Sequence, residues 1–410
     1  MIQPRLLAGP PAAAGAETLS DHVARLGSLP GVERDLVRTI TASGLLGRGG
    51  AAFPVGRKLH AVAARSLGDA RLLVNGAEGE PLSAKDRALM ASRPHLILDG
   101  ALLAANAIGA REIVLYVGSA HREGQLALAR AVSERRRLPL RVRLVSAPHA
   151  YVAGEESAAV HFINQGDARP TVTPPRPFER GIDDMPTLVQ NVESLAYLAL
   201  IARFGEDWYR QAGRGQTPGT ALVTVSGAPN GGVREVEMGT RIGEIAQMSG
   251  LGPHDSDAVL LGGYFGRWTT RDLGWALPLD PVLLQSAGAP FGTGVLSFLG
   301  MGQCGVAATA AILDYMAAQS AAQCGPCVFG LRSIADTTRA VASEVATSSD
   351  LGRLERWAGQ IDGRGACRHP DGAVGLLLSA MTAFAADFET HSRRSGCLAN
   401  VARPSLEVAA

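Results

Sequence analysis

Three short apolar runs, Arg71–Asn75, Glu112–Val117 and Leu140–Val145, are separated by segments of helical spacing near Pro94–Ile108 and His121–Arg136. This alternation constrains the fold more than any other feature. Strands joined by crossover helices pair in parallel, and such a sheet needs helices on its faces. The first half of the chain is therefore expected to be an α/β domain with a largely parallel sheet. A helix is predicted over 31–44, with Val32, Leu36 and Ile40 on one face and Gly44 at its C-cap. Another is predicted across Thr187–Phe204, after a Pro-rich stretch from Pro170 to Pro186.

The pattern changes after Gly213-Arg214-Gly215. Thr220–Ser226 alternates like a strand, Gly231–Met238 suits its hairpin partner, Arg241–Met248 suits a short helix, and Ala258–Leu261 another strand. That mixture predicts a small α+β domain. From Gly305 to about His391 the sequence is alanine-rich with helical spacing, which predicts a helical bundle and then a loose tail. The uncharged stretch Pro281–Leu313 is long enough to span a membrane, but it carries Pro290 and six glycines. It reads as loop, buried strand and the start of a buried helix, and no membrane insertion is expected. Met1–Ala16 has no continuous apolar segment and reads as a flexible lead-in, so a cytoplasmic location is expected.

Composition removes several functions. Lys+Arg 39 against Asp+Glu 38 gives a net charge of +1, so no broad field points to nucleic acid. Aromatics at 5% are too sparse for base-stacking platforms. Five cysteines, an odd number, suit metal or redox use better than a disulfide framework.

Three loops then stand out. Gly47-Arg48-Gly49-Gly50-Ala51-Ala52-Phe53-Pro54-Val55-Gly56 is dense in glycine; its backbone can approach a phosphate, with Arg48 and Lys58 adding charge. Asn75-Gly76-Ala77-Glu78-Gly79-Glu80 directly follows a predicted strand, where open α/β sheets place ligand groups. Tyr151-Val152-Ala153-Gly154-Glu155-Glu156 follows the third strand in the same way. Each loop alone suits an ordinary turn or solvated acidic loop as well. Cys324-Gly325-Pro326-Cys327, with Cys367 further on, suits an iron–sulfur cluster, and His369 leaves a Cys₃His zinc site open. Buried thiols packing as small apolar groups are the plain alternative. Cys304 and Cys397 have no partner at ligand spacing and read as structural or adventitious.

Taken together, GRGGAAFPVGRK, VNGAEGEPLSAKDR, AYVAGEES, PTLVQNVESLA, CGPC and QIDGRGACRHPDGA, in that order, resemble the NADH-binding flavoprotein subunit of respiratory complex I. Relatives of that family occur in NAD-reducing hydrogenases and formate dehydrogenases. The resemblance runs from about residue 20 to 395. It implies a Rossmann-like FMN-binding α/β domain (20–215), a β-grasp domain of the soluble-ligand-binding type (216–303), a helical bundle carrying a [4Fe–4S] cluster (304–395) and a tail (396–410). Gly47, Arg48, Gly49, Gly50 and Lys58 correspond to the flavin-phosphate loop. Asn75, Glu78, Tyr151, Gly154, Glu155, Glu156 and Asn191 correspond to the rest of the flavin site. Phe53 and Glu80 would face the nicotinamide, with Glu80 in the catalytic role, and Cys324, Cys327 and Cys367 would hold the cluster. The implied activity is an NADH dehydrogenase-like oxidoreductase that moves electrons from NADH through FMN to an iron–sulfur acceptor.

The chain also departs from the family pattern. The first cysteine of CxxCxxC is Ala321, an aspartate before Glu78 is Ala77, and one asparagine of a pair is Gln190. Thr173 and Arg176 stand where a lysine and an aromatic are usual, and Ala61 where another aromatic is usual. The cluster expected is thus a [4Fe–4S] with one non-cysteine ligand or a [3Fe–4S]. Two further readings follow: a flavoprotein exchanging electrons with a ferredoxin-like partner and not NADH, and a scaffold or β-grasp binding subunit without catalysis.

Overall fold

The first apolar run becomes β1 (Ala70–Gly76) in the computed structural model of the chain, which describes residues 4–31, 35–135, 137–397 and 399. β2 (Ala110–Gly118), β3 (Arg141–Ala147) and β4 (Thr187–Asn191) complete an all-parallel sheet in the order β3-β2-β1-β4. Leu72 pairs with Ile113 on one side and Leu188 on the other. Leu72, Val74, Ile113, Leu115 and Leu188 enter one core with the helices Pro94–Ala107 and Val192–Arg210. Leu73, Val114, Tyr116 and Val189 pack on the opposite face with Ala159 and Val160 of the helix Glu156–Gln165. Burial on both faces is why these strands read as unbroken apolar runs. The helices Pro94–Ala107 and Val192–Arg210 pack so closely at Gly100 that a Cβ there would strike the backbone of Leu195.

Three expectations need correction. Residues 187–191 are a strand and not the start of a helix. Leu188 and Val189 bury on opposite faces of the sheet, as a two-residue period requires. The helix begins at Val192 with no loop between, and Asn191 caps it by accepting the Glu193 N–H at 2.9 Å. From Pro4, where the described residues begin, the N-terminal stretch is not a loose lead-in: Leu6 is fully buried, and the N–H groups of Arg5, Leu6 and Leu7 donate to the Glu235 carboxylate at 2.9–3.1 Å. Arg93 also donates to the carbonyls of Leu7, Ala8 and Pro10. The helix expected over 31–44 is described as Leu36–Ser43, ending on Gly44 at φ +72°. Val32 of its expected apolar face lies outside the described residues, as do Arg136 and residues 398 and 400–410 of the expected tail.

The second sheet has the order β6-β5-β9-β7-β8, from β5 (Thr220–Ser226), β6 (Gly232–Glu237), β7 (Ser256–Leu261), β8 (Arg267–Thr270) and β9 (Val295–Gly300). β5 and β9 are parallel; β9–β7 and β7–β8 are antiparallel. The stretch 281–313 divides into the helix Pro281–Ser286, β9 and the helix Gly305–Ala318, which are loop-bounded and short. From Gly305 the described chain is helical, with Gly305–Ala318, Arg332–Ala342, Ser348–Ile361, His369–Ala383 and Ala385–Ser392 as its α-helices. Among the described residues no single helix is long and apolar enough to cross a membrane.

Two compact units divide the chain. The first comprises Met1–Gly79, Ser83–Val223 and Val233–Thr240; the second comprises Glu80–Leu82, Thr224–Gly232 and Arg241–Ala410.

Candidate functional site

The parallel sheet gathers its loops at the carboxyl ends of the strands, the edge where open α/β sheets bind ligands. The glycine-rich loop lies at this edge. The Gly47 N–H donates to Phe53 O at 2.9 Å and the Val55 N–H to Leu45 O at 3.0 Å, closing the loop and starting the helix Val55–Ala63. Gly50 has φ +112°, and a Cβ there would meet no atom within 4 Å. Gly49 lies against Asn191, whose Cβ would be 3.4 Å from a Cβ at 49. The loop thus presents open backbone beside the end of β4.

Polar side chains from the other strand ends meet it. Asn75, near the end of β1, donates from Nδ2 to Gly154 O at 2.8 Å and accepts the Ala77 N–H at 3.2 Å. Asn191 donates to Asp86 Oδ2 at 2.6 Å and lies 3.5 Å from Asn75 O. Lys58 Nζ reaches Glu156 Oε2 at 3.2 Å and Val189 O at 3.4 Å. Gly79 approaches Tyr151 so closely that a Cβ there would lie 2.6 Å from Tyr151 O. Gly49, Lys58, Asn75, Gly154, Glu156 and Asn191 are thereby brought to one edge.

Other expected site residues face elsewhere. The Arg48 guanidinium is fully buried, donating to Thr220 O at 3.0 Å and the Tyr209 hydroxyl at 3.3 Å, with Glu193 at 3.6 Å. It lends no charge to a phosphate at the loop, because its partners hold it in the core. Glu78, at φ +41°, accepts the N–H groups of Asp86 and Arg87, each at 2.9 Å, and the Ser83 hydroxyl at 2.7 Å. It anchors the start of the helix Lys85–Ser92, and burial, with Asp86 nearby, raises its pKa. Glu155 caps the helix Glu156–Gln165 by accepting from the N–H groups of Ser157 and Ala158, and burial raises its pKa as well. Glu80 belongs to the second unit. It is buried and accepts the Tyr264 N–H at 2.9 Å and the Leu82 N–H at 3.3 Å.

Beneath the loop lies a network that the residue types alone did not reveal. Lys85, fully buried, pairs with Asp86 at 2.7 Å and Glu193 at 2.9 Å. Burial alone would lower the Lys85 pKa, but Asp86 and Glu193 raise it well above its ordinary value. Ser194 accepts the Arg48 N–H at 2.9 Å, and Glu193 accepts the Leu222 N–H at 2.9 Å. The signal was present in the motifs KDR and NVES: charged residues embedded in otherwise buried segments have to be paired.

In the second unit, Cys327 is buried on a π-helical turn, Pro326–Leu331. Burial, then the neighbouring Cys324 and Cys367 thiols, push its thiol up to about 12, and a backbone N–H at Ala322 points at its sulfur. Cys324 and Cys367 are thus near enough to act on Cys327, a set of thiols that could serve an iron–sulfur cluster. His369 does not join them. Its Nε2 bonds Met316 O at 2.8 Å, its ring packs tilted against Phe265, and among the described residues it belongs to no group of three His, Cys, Asp or Glu ligand atoms within 4.8 Å of one another, which gives no support to a Cys₃His zinc arrangement. Cys304 does not reach the CxxC either. It caps the start of the helix Gly305–Ala318, whose 14 residues span about 21 Å.

At the sheet edge, glycine backbone, one half-exposed ammonium and two amides form a donor set that fits a phosphate and a polyol. Both donor sets suit the groups named in the families that these segments match. Residues 40–199 match the family described as Nuo51 FMN-binding domain, and residues 307–391 the NADH-ubiquinone oxidoreductase-F iron-sulfur binding region. The F subunit of NADH-quinone oxidoreductase from Streptomyces coelicolor is 30% identical over 380 residues, covering 88% of this chain and 84% of that one. The HndC subunit of the NADP-reducing hydrogenase of Solidesulfovibrio fructosivorans is 27% identical over 408 residues, covering 94% and 83%. A chain of an air-oxidized NAD⁺-reducing [NiFe]-hydrogenase superposes with a TM-score of 0.82 at 27% identity, covering 98% of this chain and 68% of that one. A chain of the H₂-reduced state gives 0.81 at 28% identity over 88% of this chain; the match spans 63% of the solved chain's length.

Proposed function

The chain belongs to the family of the NADH-quinone oxidoreductase F subunits, and from that premise we propose that it moves electrons from a nicotinamide nucleotide through FMN to an iron–sulfur acceptor within a multi-subunit oxidoreductase. The observation that carries the reading is the meeting of Gly49, Lys58, Asn75, Gly154 and Asn191 at one edge of a parallel sheet. FMN, when bound, supplies the exchange between a two-electron donor and a one-electron acceptor. The chain's own residues bind and orient. Backbone at Gly47, Gly49 and Gly50 with the Lys58 ammonium would hold the phosphate, and Asn75, Tyr151, Gly154 and Asn191 the remainder. Phe53, 43% exposed, and Glu80 keep the nicotinamide-side assignment that their motifs imply. Cys324, Cys327 and Cys367 would hold the cluster.

We assign 20–215 to a Rossmann-like FMN-binding domain, 216–303 to a β-grasp domain and 304–395 to a helical iron–sulfur domain. The relatives' names describe subunits of larger enzymes, which supports partner subunits here too; a ferredoxin-like iron–sulfur protein is the class the proposed electron exit suits. The test is the flavin, iron and acid-labile sulfide content of anaerobically purified protein. Bound flavin with iron and sulfide is expected. Protein that stays free of flavin on gel filtration after reconstitution with excess FMN would refute the reading.

A further inference from the structure

Cys304, His391 and Cys397 are scattered along the sequence and meet in the second unit. Their ligand atoms all lie within 4.8 Å of one another, and among the described residues no other group of three or more His, Cys, Asp or Glu side chains meets that condition. Cys304 Sγ is 3.5 Å from His391 Nε2. In a tetrahedral zinc site, with Zn–S about 2.3 Å and Zn–N about 2.0–2.1 Å, sulfur and nitrogen are about 3.5–3.6 Å apart. The separation is already that of a tetrahedron's edge.

The surroundings point the same way. His391 is only 2% exposed, and its Nδ1 is buried without a hydrogen-bond partner among the described residues. An imidazole placed so, with sulfur beside its other nitrogen, is costly unless that nitrogen has a stronger partner. Asp387, one turn earlier on the helix Ala385–Ser392, is close enough to interact electrostatically with His391. Cys304 sits at the N-cap of the helix Gly305–Ala318, where its sulfur accepts the Ala307 N–H at 3.4 Å.

We infer that Cys304, His391 and Cys397 hold a zinc ion, with solvent as its fourth ligand, at a centre separate from the iron–sulfur site. Two sulfur ligands and one imidazole select zinc over the oxygen-preferring cations. The ion would clasp the start of Gly305–Ala318 to the end of Ala385–Ser392 and to the segment that follows it, a structural role.

The experiment measures zinc, iron and acid-labile sulfide in the full chain, grown with added zinc and purified anaerobically without chelator. One zinc per chain is expected beside the cluster iron, and zinc-edge X-ray absorption should show two sulfur neighbours. Cys304→Ser/Cys397→Ser should lose the zinc and keep iron and sulfide, whereas Cys324→Ser/Cys327→Ser should lose iron and keep zinc. Wild-type protein lacking zinc, zinc retained in Cys304→Ser/Cys397→Ser, or a Cys304–Cys397 disulfide in the anaerobic preparation would overturn the inference. If the double variants do not fold, the wild-type zinc content and its sulfur count decide the matter alone.

Discussion

The Arg48 guanidinium lies 3.6 Å from the Glu193 carboxylate, with both side chains wholly buried. Ten residues on, Lys58 pairs with Glu156 at 3.2 Å with about a third of each side chain in water. Two cations of one motif therefore do different work. Arg48→Ala strips a buried carboxylate of a partner and should cost about 3–5 kcal/mol of stability. Lys58→Ala should cost no more than about 1 kcal/mol of stability, yet weaken FMN binding roughly tenfold or more through a lost charge-assisted bond. Urea unfolding beside flavin titration separates the two; equal stability losses would refute the division of labour.

Gly50 tests the loop itself. Its φ of +112° suits glycine alone, and its open face is where a ligand would come. Gly50→Asp adds strain of about 1–3 kcal/mol and a negative charge facing a phosphate. Flavin content after reconstitution should fall to near nothing while the far-ultraviolet circular dichroism stays that of the parent. Full flavin loading in the variant would exclude this loop as the phosphate site.

The proposed cluster site offers the three cysteines 324, 327 and 367 only, since Ala321 has no donor and Cys304 is turned toward His391. A [3Fe–4S] or an oxygen-labile [4Fe–4S] is expected by electron paramagnetic resonance and iron analysis. Ala321→Cys should lengthen the lifetime of the four-iron form in air. Identical lifetimes would mean that a fourth ligand is already supplied.

Weak reduction by NADH follows from Thr173, Arg176 and Ala61, which replace a usual lysine and two usual aromatics. Losing about 3 kcal/mol of phosphate and stacking contacts weakens binding roughly a hundredfold. Arg176 pairs with Glu156 at 3.6 Å and remains 58% exposed, so its guanidinium is free to meet a phosphate, and NADPH is tested beside NADH for that reason. Anaerobic stopped-flow mixing with NADH, NADPH and reduced ferredoxin should show slow flavin bleaching by NADH. Rapid bleaching at micromolar NADH would restore an ordinary NADH dehydrogenase.

Acid should act on the first unit through Glu17, His22 and Asp99. Burial alone raises both carboxyls, but hydrogen bonds from His22 and the charges of Arg25, Arg135 and Arg203 bring each down to about 2. Their stabilising contribution is present above the ordinary values of 4.5 and 3.8 and is lost as the pH falls toward about 2. Burial lowers the pKa of His22, which Asp99 and Glu17 more than reverse. That contribution is present below 6.5 and is lost as the pH rises through the elevated value. Urea midpoints measured across pH should therefore decline on both sides, and Asp99→Asn should flatten both limbs. A variant profile parallel to the parent's would contradict the assignment.

Much of this arrangement was legible in the residues. β1, β2 and β3 follow from their apolar runs, and the helix end at Gly44 from its glycine. Asn75, Gly154 and Asn191 share one edge of the sheet, where loops that follow parallel strands come together. What stayed hidden depends on distant partners. Arg48 and Lys58 look alike until Glu193 takes one of them, and Leu188-Val189 looks helical until β1 pairs with it. Cys304, His391 and Cys397 have no common spacing, since only the packing of helices brings them together.

Asn191 ends β4 and Val192 begins a helix with nothing between them. One inserted residue would turn the whole helix by about 100°. Glu193 would swing away from Lys85 and Arg48, and Ser194 from the Arg48 N–H. At this junction length is as strictly held as residue identity.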